Sequence, residues 1–496
     1  MTTPRPGAVA SGHPLATKAG LDALAAGGSA VDAALSAAFT QWTVNSPMCG
    51  PGGEMLLMVV NGEHVTVYGG WSRTPSRLPA LDPIPYSGPE VAVVPGAIPA
   101  AYAAWKDYGV LSWSRLFTGG IEAADNGHKV TDQMAASYAS VARKHPSTLG
   151  DFFDQQTVPV VGDTVTSERF ARTLALLAVE GPSALHSGGR LAKEIVNASK
   201  DAGGYLTMAD LTTAAPQVCE APTVELDGGL RLSFPGAPSQ APMIAELLEA
   251  TDPQYAAESA EFVTDVAPTT EAALIRRCVA GLNGTATAIA ATGKCAAVAV
   301  HSLAGVQYGT GWIAGNTGIA LGNRVGTAHS TRPELPGAHL RPGQHPAHTL
   351  SAVWLRHGSR SALIATPGGD RQVQWLAQCA QRFRQGHDIE DLVTEPRWFV
   401  CPEGDRFGVP GGVGAQWFLF AEPGVPWRDR RELAGYAIKS VDSIGGGLQA
   451  VQPRLSEQWS SASDPRAGGS AATWCPSNGI RTAPTPAVTG PGVHDA

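Results

Sequence analysis

Residues 283–311, NGTATAIAATGKCAAVAVHSLAGVQYGTG, constrain the fold of this chain more than any other stretch. Two apolar runs, 285–291 and 295–300, flank a tight turn at Thr292-Gly293-Lys294. Apolar runs of strand length joined by a glycine-containing turn predict an antiparallel hairpin. The apolarity is continuous rather than alternating, so the hairpin is expected to be buried on both faces. Thr285 then stands at the head of a buried strand. The ends of a hairpin meet, which brings Ser302, at the end of the returning strand, near Thr285. A buried strand threonine bonded to a neighbouring carbonyl would give the same pattern. The rest of the chain has to separate the two readings.

The chain has 496 residues, 43% of them hydrophobic, enough for a sizeable core in one large α/β body or in two or three domains. Its net charge is −8 with no long basic run, which argues against a nucleic-acid partner. No apolar stretch reaches the roughly 18 residues that a membrane-spanning helix needs. The opening MTTPRPGAVASGHP lacks the charged and apolar regions of a secretory signal, so cytoplasmic residence is the expectation. The seven cysteines are odd in number, scattered and without a CxxC pair, so neither a disulfide framework nor a zinc site is indicated. His339, His345 and His348 lack a cysteine or carboxylate among them and read as loop histidines. No metal and no cofactor are expected.

Along the chain, residues 13–39 read as two helices broken at Gly27-Gly28, with Ser29 as N-cap and Asp32 in the first turn of the second. SPMCGPGGE, residues 46–54, is a glycine-rich loop leading into a strand at 55–60, either close to a ligand or simply a tight turn. No Gly-Lys-Ser/Thr follows, so it is not a P-loop. Helices are expected at 104–108, 113–127, 169–177 and 187–202, and Thr207 is a further N-cap. Residues 226–234 read as a strand, 243–249 as a helix, 251–272 as a polar linker and 273–282 as a helix. Two strands, 349–355 and 361–365, lead to Thr366-Pro367-Gly368-Gly369-Asp370 and a long helix over 371–383. Consecutive glycines at such a strand-to-helix turn expose backbone N–H groups that can receive an oxyanion. An ordinary turn would look the same.

In order, GAVASGHPLATKAGLDALAAGGSAVDAA, PMCGPGGEMLL, VVPGAIPAAYAAW, GGYLTMADL, YGTGWIAGNTGIALGNR, TPGGDRQ, EPRWF and SDPRAGGSA resemble the γ-glutamyltransferase family of N-terminal nucleophile hydrolases. The resemblance runs over nearly the whole chain. It implies an α+β fold, an αββα sandwich around two antiparallel sheets, built as one body from two self-cleaved chains. The large chain would be 1–284 and the small chain 285–475, followed by a disordered tail at 476–496. The two chains would be each other's partners, with a small-molecule substrate.

Thr285 falls where that family keeps the first residue of its small chain. There one residue supplies both the attacking hydroxyl and, through its freed α-amino group, the general base. Gly368 and Gly369 match the pair whose N–H groups form the oxyanion hole.

The departures concern substrate binding. Ala286 and Thr287 follow the nucleophile where the family has Thr and His. The supporting hydroxyl corresponds to Leu303, with Ser302 one residue out of register. Trp71 replaces the substrate-clamping Arg, with Arg73 nearby; Thr327 replaces the acidic residue that holds the glutamyl amino group; His348 and Thr349 replace a Ser pair. A non-γ-glutamyl substrate is therefore expected. Arg324, Arg73 and His348 suggest a carboxylate or keto-acid, with Trp71 as a flat apolar wall. Relatives in actinobacterial alkylproline antibiotic pathways hydrolyse a carbon–carbon bond next to a carbonyl. The high Gly, Pro and Ala content fits a GC-rich source of that kind. The rival readings are an ordinary amide hydrolase or γ-glutamyl transferase, a Cys295 nucleophile, and a non-catalytic binding homologue.

Overall fold

The computed structural model describes residues 4–81, 84–155, 157–277, 285–305, 307–326, 340–402, 416–454 and 458–482. The hairpin forms as strands Thr285–Thr292 and Cys295–Ser302, with Cys295 opposite Thr292 and Ser302 opposite Thr285. Gly293 opens the two-residue turn at φ 56, the left-handed conformation that a primed hairpin turn asks of its first residue. Residues 278–284, which include the expected cleavage point before Thr285, lie outside the described residues.

The hairpin sits in the middle of the larger of the two main antiparallel sheets; a four-stranded and a two-stranded sheet also form among the described residues. Among the described residues that sheet runs Gly479–Thr482, Ser470–Cys475, Gly7–Ser11, Thr285–Thr292, Cys295–Ser302, Glu54–Asn61, His64–Gly70 and Gln217–Glu220. The smaller runs Trp459–Ser463, Gln449–Pro453, Arg360–Ala365, Ala352–His357, Leu230–Ser233 and Thr223–Leu226.

Side chains alternate between the faces of a strand, and this alternation builds the layers. Ala286, Ala288 and Ala290 share a core with Val31, Leu35 and Phe39 of helix Ala30–Val44. Ile289, Ala291, Val298 and Val300 point the other way and share a core with Ala352, Leu363 and Val451 of the second sheet and with Leu350 just before it. Helices Met243–Glu249, Ala260–Arg277 and Arg371–Arg384 cover that sheet's outer side through Ile244, Val263 and Leu376. The four layers form the αββα sandwich expected from the sequence. No described helix is long and apolar enough to cross a membrane.

Local signals set the helix starts. Ser29 Oγ accepts from Asp32 N (3.0 Å), and the Asp32 carboxylate accepts from Ser29 N (2.8 Å), a reciprocal capping box. Thr207 and Asp210 repeat the arrangement at helix Met208–Thr212.

Three expectations need correction. The strand expected over 226–234 is a hairpin, Thr223–Leu226 with Leu230–Ser233, because Gly228 and Gly229 turn the chain at φ 78 and 77. The polar linker of 251–272 contains most of helix Ala260–Arg277, whose Phe262, Val263, Val266 and Ala267 are buried beneath a polar outer face. The tail from 476 is not disordered throughout, since Gly479–Thr482 pairs as an edge strand with Ser470–Cys475; residues 483–496 lie outside the described residues.

Candidate active site

Thr285 lies opposite Ser302, and Ser302 opposite Glu54, so these three side chains form a row on one face of the larger sheet. Parity with Ile289, Val300 and Leu56 shows that this face looks towards the second sheet. All three residues are buried. Ser302 Oγ accepts from Ala304 N at 2.8 Å. Leu303, the in-register match for the supporting hydroxyl, packs instead into the core on the helical side. Ser302 is therefore the hydroxyl that the fold sets beside Thr285. The neighbouring hydroxyl on the same face, Thr287 Oγ1, is buried with no hydrogen-bond partner among the described residues.

Glu54 closes the glycine-rich loop 46–54 but was not singled out as a site residue, yet it organises the polar end of this interlayer. Its Oε1 accepts from Arg324 Nε (3.0 Å) and Nη2. Its Oε2 accepts from Ser72 Oγ (2.8 Å) and lies 2.9 Å from His348 Nε2. Burial pushes the carboxyl up, but Arg324 and His348 outweigh it and hold the group well below the usual carboxylate range. Arg324 Nη2 also donates to Thr349 Oγ1 at 3.2 Å. The His348 ring lies 5.1 Å from that of Trp71, and its Nδ1 is 2.6 Å from Pro346 O. A signal for Glu54 was present: a carboxylate heading a fully apolar strand, EMLLMVV, needs a buried partner.

Four of the expected binding residues, Trp71, Arg324, His348 and Thr349, thus come together. Arg73 does not join them. Its guanidinium donates to Asp210 O (3.3 Å) and Thr213 Oγ1 (2.9 Å). The expectation that Arg324 offers an unmatched charge to a carboxylate is also corrected, since Glu54 already meets it. Thr327 and His339 lie outside the described residues.

The second sheet brings the glycine pair. Gly368 (φ 135) and Gly369 (φ 60) link strand Arg360–Ala365 to helix Arg371–Arg384. Neither amide donates a hydrogen bond among the described residues. Gln240 Nε2 donates both to Gly369 O (2.8 Å) and to Thr349 O (2.9 Å), tying this turn to the Glu54 cluster. Adjacent unbonded N–H groups before a helix can receive developing negative charge. Cys295, by contrast, pairs with Thr292 at the far end of the hairpin. Burial pushes its thiol up to about 12, the opposite of what a nucleophile needs. Among the described residues no group of three or more His, Cys, Asp or Glu could hold a metal ion.

Comparison with known proteins bears on this arrangement. The Gamma-glutamyltranspeptidase family profile matches residues 16–275 and 248–474. The chain is 28% identical over 450 residues to the glutathione hydrolase-like YwrD proenzyme of Bacillus subtilis, covering 79% of this chain and 84% of that protein. It is 30% identical over 257 residues to a glutathione hydrolase of Aspergillus flavus, covering 50% of this chain but only 43% of that relative. The cephalosporin acylase of Bacillus halodurans superposes with a TM-score of 0.78 at 23% identity, over 94% of this chain and 96% of that one. LmbA2991HD gives 0.79 at 21% identity, over 95% and 99%. At such identities these two structures share the fold.

Proposed function

The chain belongs to the gamma-glutamyltranspeptidase family, and from that premise we propose that it is a self-processing hydrolase whose nucleophile is Thr285. Cleavage of the Gly284–Thr285 bond frees an α-amino group on the residue that carries the hydroxyl. The amine, with an ordinary pKa near 8, takes the hydroxyl proton as Oγ attacks a substrate carbonyl. The N–H groups of Gly368 and Gly369 receive the resulting oxyanion, the leaving group departs with the proton, and water releases the acyl group by the same route.

The observation that supports this reading is the arrangement of hydroxyls and donors. Thr285 and Ser302 share one register row facing the second sheet, and the turn carrying two unbonded N–H groups is tied to the adjoining cluster. The substrate we propose is not γ-glutamyl. Where the family resemblance would set an α-amino-acid clamp, this chain has Trp71, His348, Thr349 and an Arg324 already paired with Glu54. A bond activated by a carbonyl meets the chemistry, either an amide or a carbon–carbon bond of the alkylproline-pathway kind.

Intact-mass analysis under denaturing conditions tests the assignment. The wild type is expected as two chains meeting between Gly284 and Thr285, Thr285→Ala as one inactive chain, and Cys295→Ala as fully processed. A Thr285→Ala protein that still splits would overturn the nucleophile.

A further inference from the structure

Arg324 uses only one edge of its guanidinium. Nε and Nη2 are taken by Glu54 Oε1 and Thr349 Oγ1. The other edge, Nη1, is buried with no hydrogen-bond partner among the described residues, on a side chain only 1% exposed. A buried donor left unmade is costly, and an incoming acceptor would relieve that cost. Glu54, in turn, has no oxygen to spare: Oε1 faces Arg324, and Oε2 faces Ser72 and His348. It stands in the same register row as Thr285 and Ser302, one strand further on.

We propose that the substrate pocket beside this row takes a neutral, oxygen-bearing group on Arg324 Nη1 and rejects a carboxylate, and that Glu54 is the residue that sets this selectivity. It rests on the reading of Thr285 as nucleophile only for the identity of the pocket. The charges of Glu54 and Arg324 cancel in a site where both side chains are 2% exposed or less. A substrate carboxylate would be a second anion set against a guanidinium already matched by Glu54, whose other oxygen holds His348 and Ser72. It would stand beside the buried Glu54 carboxylate, and like charges taken out of water oppose one another strongly. A ketone, amide or ester oxygen accepts from Nη1 and adds no charge. Arg73, two residues after Trp71, has its guanidinium on Asp210 O and Thr213 Oγ1 and does not join the cluster. The Trp71 ring beside His348 supplies an apolar wall for the carbon chain that bears the oxygen. Glu54 thus acts on the substrate through Arg324, as a positioning and charge-matching residue.

The test uses two probes of one shape and different charge, 4-phenylbutyramide and 4-phenylbutyrate, titrated calorimetrically at pH 8 into the full chain. The wild type is expected to bind the amide about tenfold or more tightly than the carboxylate. Glu54→Gln removes the negative charge at constant shape, leaves Arg324 unmatched, and is expected to reverse that order. Equal affinities in the wild type, preference for the carboxylate, no binding of either probe, or an unchanged order in a folded Glu54→Gln protein would overturn the proposal. If Glu54→Gln fails to fold, the wild-type pair decides alone. The intact mass of the same preparation keeps the two readings apart. An unprocessed chain that prefers the amide sinks the nucleophile and leaves the selectivity standing, and a processed chain that prefers the carboxylate does the reverse.

Discussion

A Cβ added at Gly368 would meet the Trp375 ring at 2.4 Å, on a backbone held at φ 135. The ring cannot retreat, because a Cβ at Gly446 would meet it at 2.5 Å, so that backbone closes its other side. Arg397 lies 4.8 Å over the same ring, is paired with Asp464 at 2.6 Å, and donates to Gly445 O at 2.8 Å. Gly368→Ala is therefore expected to lower stability by about 1–3 kcal/mol through backbone strain and overpacking, read from a urea melt. An unchanged melt would mean that the turn is free to re-form around a side chain. The site residues separate by how they could be read. Thr285, Gly368 and Gly369 are marked by a pattern in the sequence; in the structure Thr285 is buried, and the Gly368 and Gly369 amides donate no hydrogen bond among the described residues. Arg73 carried the right charge at nearly the right position, but a long side chain goes where its partners are, and those lie on the helix around Asp210. Ser302 looked one residue out of register only because a linear count ignores that strand pairing sets which side chain stands opposite Thr285.

For the elements, the short-range signals were strong. The hairpin, the helix starts at Ser29 and Thr207, and the helix after Asp370 are encoded by residues within one or two turns of each other. Helix Ala30–Val44 is buried along its whole length and rich in alanine, so little of its start is set by side-chain size. Ser29→Ala should cost about 1 kcal/mol in a chemical melt, because the Asp32 N–H loses its acceptor. The buried Asp32 carboxylate also accepts from Val110 N (2.8 Å) and Leu111 N (3.1 Å), so Asp32→Ala is expected to cost more than Ser29→Ala. The reverse order would show that the box matters only to the helix and not to the loop it anchors. The first part of helix Ala260–Arg277, up to 272, escaped the sequence reading because its apolar face is narrow and Pro268 lies within it. Packing on the second sheet, not propensity, makes it a helix.

At the scale of the whole molecule, three of the buried histidines, His13, His186 and His301, link the core to pH. Burial lowers His13 to about 4, helped by the charge of His128, and lowers His186 to about 4 against the opposing bond to Leu211 O. It lowers His301 to about 3, where Trp42 Nε1 donates to Nδ1 at 3.1 Å and Nε2 faces Gln41 Oε1 at 3.0 Å. The folded chain keeps these rings neutral, while the unfolded chain protonates them near their ordinary value of about 6.5. Below that value the unfolded state binds more protons, so their contribution is complete above about pH 6.5 and falls away as pH drops towards 4. The expected slope is up to about 1.4 kcal/mol per pH unit for each histidine, measured by urea unfolding between about pH 7.5 and 4.5. The Glu54 carboxyl, held low by Arg324 and His348, adds a loss of the same sign only as pH falls below about 4.3. A profile flat across the histidine window would contradict the neutral burial of these rings.

The sequence by itself determined what depends on near neighbours: the hairpin with Thr285 at its head, the helix caps, the glycine turn before Arg371, and the order of segments that marks the family. Tertiary structure alone decided which distant groups meet. Glu54 and Arg324 are far apart in the chain, and nothing local states that one would cancel the other's charge. That pairing exists because two strands and a loop from separate parts of the sequence end at the same edge of the interlayer, where an ion taken out of water must find its counter-ion.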